Sequence, residues 1–127
     1  MSQRSPEDVV RDFIRAFNER DLDALVDTLD PDVELHSMKG LVTGVAAARE
    51  WATRKPGGVQ QTIVINEVES VGPKVLVRIR RDWHWEEDES HAGSDEMAWI
   101  FMLKDGRITT WRPFMDTAEA FAAFNAY

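Results

Sequence analysis

The segment from Val75 to Trp85 holds the side chains whose types and spacing best suit acid–base chemistry. Side chains of a strand alternate between two faces, so Arg80, Asp82 and His84 would share one face. An adjacent arginine keeps a carboxylate ionised, which suits a base, and a histidine can exchange a proton near neutral pH. Asp82 is therefore the candidate base for proton transfer next to a carbonyl, with Arg80 or His84 stabilising the enolate oxygen.

The composition excludes several classes of function. The chain has 127 residues and no cysteine, which excludes disulfides, thiolate catalysis and thiolate metal sites. Its 15 Lys and Arg against 23 Asp and Glu give a net charge of −8, which argues against nucleic acid or an anionic membrane as a partner. Residues 1–7 hold no apolar signal segment, and no run reaches the roughly 18 apolar residues of a membrane helix. We expect one cytoplasmic domain over residues 1–127 that needs no cofactor.

Start signals and apolar spacing predict two helices in the first thirty residues. Ser5 can cap the first helix, and Pro6 suits its first turn. Five apolar residues then fall on one face, the last of them Phe17. Asp21 can cap a short second helix, which Pro31 closes.

The rest of the chain predicts two more helices and a set of strands. Thr43 opens an alanine-rich third helix that carries Trp51, and Asp116 begins the cap of a terminal helix. Asp105-Gly106 is a strong hairpin signal, because both central positions of such a turn need a positive φ. The predicted strands span 33–38, 61–71, 75–85, 96–103 and 107–115. Helices followed by consecutive strands indicate an α+β fold.

Three stretches of the chain together resemble a known superfamily. They are residues 13–32, the strand 33–38 with Gly44 following, and Asp105 to Ile108 leading into 111–116 (WRPFMD). Their order resembles the nuclear transport factor 2-like superfamily, particularly its SnoaL-like polyketide cyclase and limonene epoxide hydrolase branches, over nearly the whole chain. The resemblance implies a cone-shaped, curved antiparallel sheet whose concave face is covered by the N-terminal helices, a cystatin-like roll with a ligand pocket at its mouth.

The site of limonene epoxide hydrolases is only partly preserved. Those enzymes hold a water with a Tyr and an Asn two residues apart on the first strand and an Asp on the last strand. The matching positions here are Leu35, Ser37 and Pro113. Only their Arg-x-Asp pair is matched, by Arg80 and Asp82. Without a base at Pro113, that route to epoxide hydrolysis is lost.

Two other branches also differ from this chain. Ketosteroid isomerases, which resemble it less closely, have their proton-shuttling Asp where Ser37 stands and their oxyanion-binding Tyr where Phe13 stands. Neither residue can do that work. SnoaL-like cyclases use a pocket carboxylate, in some members with a histidine. Asp82 and His84 could take those roles, although no motif matches them position by position.

Two interpretations of the strand 75–85 are open. In the first, Val75, Val77 and Ile79 face the core while the polar side chains lie in solvent, and Arg81 points inward only at a frayed end. In the second, the polar side chains line the pocket, as the Arg-x-Asp match favours. The apolar side chains would then form an open sheet face that a second copy must cover, giving a homodimer. We adopt the second interpretation.

The expected pocket lining combines residues of the helices with residues of the first and last strands. It comprises Phe13, Phe17, Leu35, Ser37, Trp51, Trp111, Pro113 and Met115. Trp99 and Phe101 suit the core, although core aromatics of this fold can also line the pocket. No metal site is expected, because the three histidines include no helical pair at i, i+4.

These patterns leave two hypotheses for function. The first is a pocket for a small, largely apolar organic molecule, with isomerase- or cyclase-type proton transfer at Asp82. The alternative is a non-catalytic small-ligand-binding or dimeric scaffold domain that has lost the catalytic acid of the family. The retained Arg80–Asp82 pair favours the first hypothesis, whereas Phe13, Leu35, Ser37 and Pro113 favour the second. Whether the chain is an enzyme stays open at this level.

Overall fold

The helices and strands were located in a computed structural model, which describes residues 5–37, 40–53 and 58–126, with the side chain of Ser37 excepted. The helices are α1 (Pro6–Glu19), α2 (Leu22–Asp27), α3 (Val45–Thr53) and α4 (Thr117–Ala126). The strands are β1 (Leu29–Ser37), β2 (Gly40–Thr43), β3 (Val59–Val71), β4 (Lys74–Trp85), β5 (His91–Lys104) and β6 (Arg107–Phe114).

Helix α1 is anchored at both ends. The Ser5 hydroxyl accepts a hydrogen bond from the Asp8 N–H at 3.2 Å, as the capping signal predicts. Near the other end, the Asn18 side chain exchanges two hydrogen bonds of 2.8 Å with the backbone of Ile63 on β3. The helix ends at Glu19, and the capping residue Arg20 follows with a φ of 60°. The side of α1 that carries Phe13 and Phe17 is thereby fixed against the sheet.

The six strands form one sheet in the order β2-β1-β6-β5-β4-β3. The predicted α+β fold is confirmed, but one pair departs from the antiparallel expectation, because β1 and β6 run parallel. Helix α2 ends at Asp27, so Pro31 lies inside β1, at an irregularity in its pairing with β6. Strand β2 is absent from the sequence prediction, which began α3 at Thr43. Its four exposed residues are too few to show a period.

The turn between β5 and β6 has the geometry that its sequence predicts. Asp105 has a φ of 54° and Gly106 a φ of 77°, the left-handed pair that a two-residue hairpin of this kind requires. The turn starts the pairing of β6 with β5, and an irregularity between Met102 and Leu103 then shifts this pairing by one residue. Beyond it, Trp111 lies opposite Phe101 and Pro113 opposite Trp99. The turn and this irregularity together set which residues of the last strand face the core.

The buried side of β4 carries its apolar side chains. Val75, Val77 and Ile79 are fully buried beneath the helices, whereas Arg78 and Arg80 are exposed. Directly opposite residues of antiparallel strands share a face, and the pairs are Val75 with Phe101, Val77 with Trp99 and Ile79 with Met97. The interpretation that put the polar side chains of β4 on the pocket side is therefore wrong. We call the helix-covered side of the sheet the concave side and the opposite side the outer face.

The outer face is covered at one end by helix α4. Ala120 and Phe124 pack on Leu76, Ala98 and Ile100, and the Lys74 ammonium lies 4.8 Å from the Phe124 ring centroid. Polar side chains of β4 occupy the remainder. The predicted homodimer was argued from an apolar outer face, and that argument no longer applies. The oligomeric state stays a prediction.

Within residues 5–37, 40–53 and 58–126, none of the helices has the length and apolar character needed to cross a bilayer.

The orientation of β4 predicts opposite outcomes for two neighbouring substitutions. Ile79→Ala removes a fully buried side chain and is expected to lower the free energy of unfolding by about 2 to 5 kcal/mol. Arg80→Ala removes an exposed side chain and is expected to lower the free energy of unfolding far less, because surface ion pairs contribute little to stability. Urea unfolding monitored by circular dichroism measures both. A larger loss for Arg80→Ala than for Ile79→Ala would contradict this orientation.

Candidate functional site

Five aromatic rings meet on the concave side of the sheet, and we call them the aromatic cluster: Phe13, Phe17, Trp51, Trp99 and Trp111. Trp51 lies at the centre, with ring centroids 4.9 Å from Trp111, 5.1 Å from Phe17, 5.9 Å from Phe13 and 6.0 Å from Trp99. Helical spacing puts Phe13 and Phe17 on one side of α1. Four predicted pocket residues are thus brought together in one packed aromatic cluster.

Two polar atoms inside this cluster lack a hydrogen-bond partner. The Nε1–H groups of Trp99 and Trp111 are buried, and neither donates to an acceptor among the described residues. The two side chains are 2% and 5% exposed, and their ring centroids are 5.4 Å apart. An unsatisfied buried donor costs about 1 to 3 kcal/mol. The cluster therefore offers two hydrogen bonds to an acceptor that the described part of the chain does not supply.

A charged pair lies further along the concave side. Arg81 of β4 faces Asp95 of β5, and its Nε donates to Oδ1 at 2.8 Å while Nη2 donates to Oδ2. The two side chains are 20% and 35% exposed, and the Arg81 guanidinium lies 5.0 Å from the Trp83 ring centroid. Asp95 precedes Trp99 by four residues, about 13 Å along the strand. The inward Arg81 is thus a bidentate ion pair rather than a frayed end.

The predicted catalytic residues lie on the outer face. Arg80 binds Asp82 through Nε–Oδ1 at 3.0 Å and Nη2–Oδ2 at 3.2 Å. His84 follows on the same face, with its ring 5.9 Å from that of His91. Hydrogen bonds from the Arg80 guanidinium hold the pKa of Asp82 below its ordinary value of 3.8. The predicted ion pair therefore exists, but the sheet separates it from the aromatic cluster.

The other predicted pocket residues have separate outcomes. Leu35 is buried opposite Trp111, and Pro113 is half-buried opposite Trp99, so both belong to the concave side. Met115 lies one residue beyond the end of β6 and is 57% exposed, so it is not part of the buried concave side, and its place in the pocket stays a prediction. The side chain of Ser37 lies outside the described residues.

Sequence reasoning missed three parts of this arrangement. Trp99 was assigned to the core, with pocket lining left open. Arg81 was placed inward only in the interpretation that was not adopted, and there as a frayed end. Asp95 was not considered. Composition shows that an indole carries a donor, but the lack of an acceptor depends on the packed surroundings. Arg81 and Asp95 are 14 residues apart, and only the alignment of β4 with β5 joins them. The one signal in the sequence was that Arg81 continues the alternation of inward-facing Val75, Val77 and Ile79, which indicated a buried charge in need of a partner.

In the part of the chain that the structure describes, no group of three His, Asp or Glu side chains could hold a metal ion. On β1, the His36 Nε2 atom lies 3.8 Å from Oε1 of Glu34, and both side chains are substantially exposed.

Sequence comparison identifies the family. The family model of the SnoaL-like domain matches residues 10–111. The chain belongs to the SnoaL-like domain family. None of the curated proteins matches the sequence. The span of a single SnoaL-like domain over residues 1–127 stays a prediction.

Solved structures show where the SnoaL-like chain stands among known folds. It is similar to an LEH-like epoxide hydrolase of M. tuberculosis, at 20% identity and a TM-score of 0.73, over 95% of this chain and 90% of that one. TerC, crystallised with polyporic acid, is 19% identical with a TM-score of 0.74, over 97% and 100%. A candidate polyketide cyclase of Xanthomonas campestris is 21% identical with a TM-score of 0.74, over 92% and 94%. At these identities the likeness shows the fold, and it confirms the predicted nuclear transport factor 2-like architecture.

The Arg80–Asp82 pair predicts a displaced titration that does not depend on any ligand. A carboxyl NMR titration is expected to give Asp82 a midpoint below that of an ordinary aspartate, and Arg80→Ala is expected to raise it towards the ordinary value. Because the pKa is lowered in the folded state, the pair stabilises the fold above the ordinary aspartate pKa of 3.8. This stabilisation is lost as the pH falls through the folded pKa. An unchanged Asp82 midpoint in Arg80→Ala would contradict the assignment.

Proposed function

We propose that this SnoaL-like domain binds a small, largely apolar organic molecule on the concave side of its sheet. The body of the ligand packs against the aromatic cluster, and an oxygen of the ligand accepts hydrogen bonds from the indoles of Trp99 and Trp111. The observation that carries this proposal is the pair of buried Nε1–H groups without an acceptor. Native interiors rarely leave such donors unpaired, so each calls for a partner.

The surroundings of the indoles favour an apolar ligand body. Small-molecule sites combine apolar and aromatic walls with a few placed polar groups. The aromatic cluster supplies the wall, and the two indoles supply donors whose orientation is fixed by their packing. Trp51 is the half-buried member of the cluster and is therefore the ring that a ligand would reach first. Flat molecules suit such a surface, because stacked or edge-on rings attract one another.

The names of the similar structures are consistent with a small organic ligand. They refer to an epoxide hydrolase, a polyketide cyclase and a complex with polyporic acid. The fold accommodates different chemistries, so the ligand of this chain has to be argued from its own residues.

Binding is better supported than proton transfer at Asp82. The ionised Asp82 lies on the outer face, bound to Arg80, and cannot contact a ligand that rests on the aromatic cluster. The carboxylate on the concave side is Asp95, and both of its oxygens accept hydrogen bonds from Arg81. A general base must lie within hydrogen-bond reach of the proton that it removes, and Asp95 precedes Trp99 by four residues, about 13 Å along the strand. The arrangement therefore favours the non-catalytic alternative.

The indole hydrogen bonds predict a preference for ligands that carry an acceptor. 2-Acetylnaphthalene is expected to bind about two to ten times more tightly than 2-ethylnaphthalene, the effect of one net hydrogen bond. Trp99→Phe and Trp111→Phe keep an aromatic ring but remove the donor, so at least one of them should reduce this ratio towards one. Quenching of tryptophan fluorescence gives the dissociation constants. Trp85→Phe, which changes an exposed tryptophan, is the control and should preserve the ratio.

A wider thermal-unfolding screen tests whether the site binds organic molecules at all. A ligand at one hundred times its dissociation constant adds about 2.7 kcal/mol of stability. A panel of polycyclic ketones, terpenoids and aromatic acids should include compounds that raise the melting temperature. If no member of the panel does so, and the naphthalene pair does not quench fluorescence, the proposed function is wrong.

A further inference from the structure

Another charged side chain near the aromatic cluster directly follows α1. Arg20 caps the end of this helix in the left-handed conformation, with a φ of 60°. Its guanidinium donates from Nη1 to the Phe17 carbonyl at 3.2 Å and from Nη2 to the Gln61 carbonyl at 2.6 Å. The Cζ atom lies 4.9 Å from the centroid of the Phe17 ring. The cation therefore rests against a member of the aromatic cluster.

The charge of Arg20 has no ion-pair partner among the described residues. Every ion pair identified in that part of the chain involves other side chains. Its neighbours Glu19 and Asp21 are exposed, and the Asp21 carboxylate accepts from the Ala24 N–H. Arg20 is half-buried, and this burial lowers its pKa. Charges removed from water are normally paired, so the guanidinium calls for an anion.

The position of Arg20 connects it with the proposed ligand site. Phe17, beneath its guanidinium, contacts Trp51 at 5.1 Å. Gln61, which accepts its hydrogen bond, pairs with Trp83, and the next inward pair along these strands is Ile63 with Arg81. Arg20 and the Arg81–Asp95 pair therefore flank the same end of the concave side. A flat ligand against Trp51 and Phe17 would place a substituent at its edge beside Arg20.

Attachment of α1 to the sheet does not use up the donors of Arg20. Asn18 already joins the helix to β3 with two hydrogen bonds. A guanidinium has five N–H donors, and the two carbonyls take two of them. The remaining donors suit the two oxygens of a carboxylate, which arginine binds in a forked, charge-assisted geometry.

We infer that the ligand is an organic acid, a flat apolar molecule whose carboxylate or ionised hydroxyl binds the guanidinium of Arg20. This inference rests on the proposed function, because the ligand body must lie on the aromatic cluster. It adds the charge of the ligand and the residue that selects it.

The inference predicts discrimination between an acid and its neutral amide. Naphthalene-2-carboxylate should bind the unaltered protein about tenfold or more tightly than naphthalene-2-carboxamide at neutral pH. Arg20→Asn removes the cation while keeping a residue that tolerates the left-handed conformation, and it should abolish the preference. Arg20→Lys keeps the charge without the fork and should give an intermediate ratio. Fluorescence quenching gives each dissociation constant.

The matched control removes the same charge from the other side of the sheet. Arg80→Asn changes the net charge as Arg20→Asn does, but it lies on the outer face and should preserve the acid-to-amide ratio. Raising the ionic strength should weaken binding of the acid and leave that of the amide unchanged. If Arg20→Asn fails to fold, this measurement on the unaltered protein tests whether a cation binds the acid, and the intermediate ratio expected for Arg20→Lys tests whether that cation is Arg20.

The outcomes separate the two proposals. Equal binding of acid and amide to the unaltered protein would overturn the inference and leave the proposed function standing. A preference for the acid that survives in Arg20→Asn would also overturn it, because another cation would then be responsible. Failure of both compounds to bind, together with no response in the thermal panel, would remove the proposed function and this inference with it.

Discussion

The alignment of β4 with β5 is the constraint on which both the core and the candidate site depend. Each directly opposite pair shares a face, so the pairing of Val77 with Trp99 and of Ile79 with Met97 commits every second residue of both strands to the concave side. A shift of β4 by one residue against β5 would turn Arg80 and Asp82 inward, beside the aromatic side chains of β5. The helices stabilise the observed alignment, because they cover the side of the sheet that carries the aromatic side chains.

The concave side combines strong packing with unfinished polar chemistry. Trp51 fills the space between α1 and the sheet, where its ring contacts four others. The same packing isolates the indole donors of Trp99 and Trp111 from acceptors, which costs free energy in the absence of a partner. A half-buried arginine without a carboxylate has a similar cost. Such local costs are typical of sites that complete their bonding with a ligand.

Charge is distributed differently on the two faces of the sheet. On the outer face, Arg80 and Asp82 satisfy each other beside water, where an exposed ion pair contributes little to stability. On the concave side, Arg81 is neutralised by Asp95 while Arg20 is not neutralised by a described side chain. The fold family hosts several chemistries, and here the inward-facing charges support recognition of an anion more than removal of a proton.

The sequence by itself determined the helix cap, the hairpin turn and the spacing of apolar residues, because each depends only on residues that are close together in the chain. The cap at Ser5, the left-handed turn at Asp105-Gly106 and the aromatic side of α1 follow from short-range sterics and spacing, and the order of elements was enough to indicate the fold. Tertiary structure alone decided which face of β4 is buried, because alternation defines two sets of side chains but not the direction of either. It also decided the surroundings of Trp99, Arg81 and Arg20. Arg81 and Arg20 bind residues that are distant in the chain, and the Trp99 indole has no acceptor among the described residues.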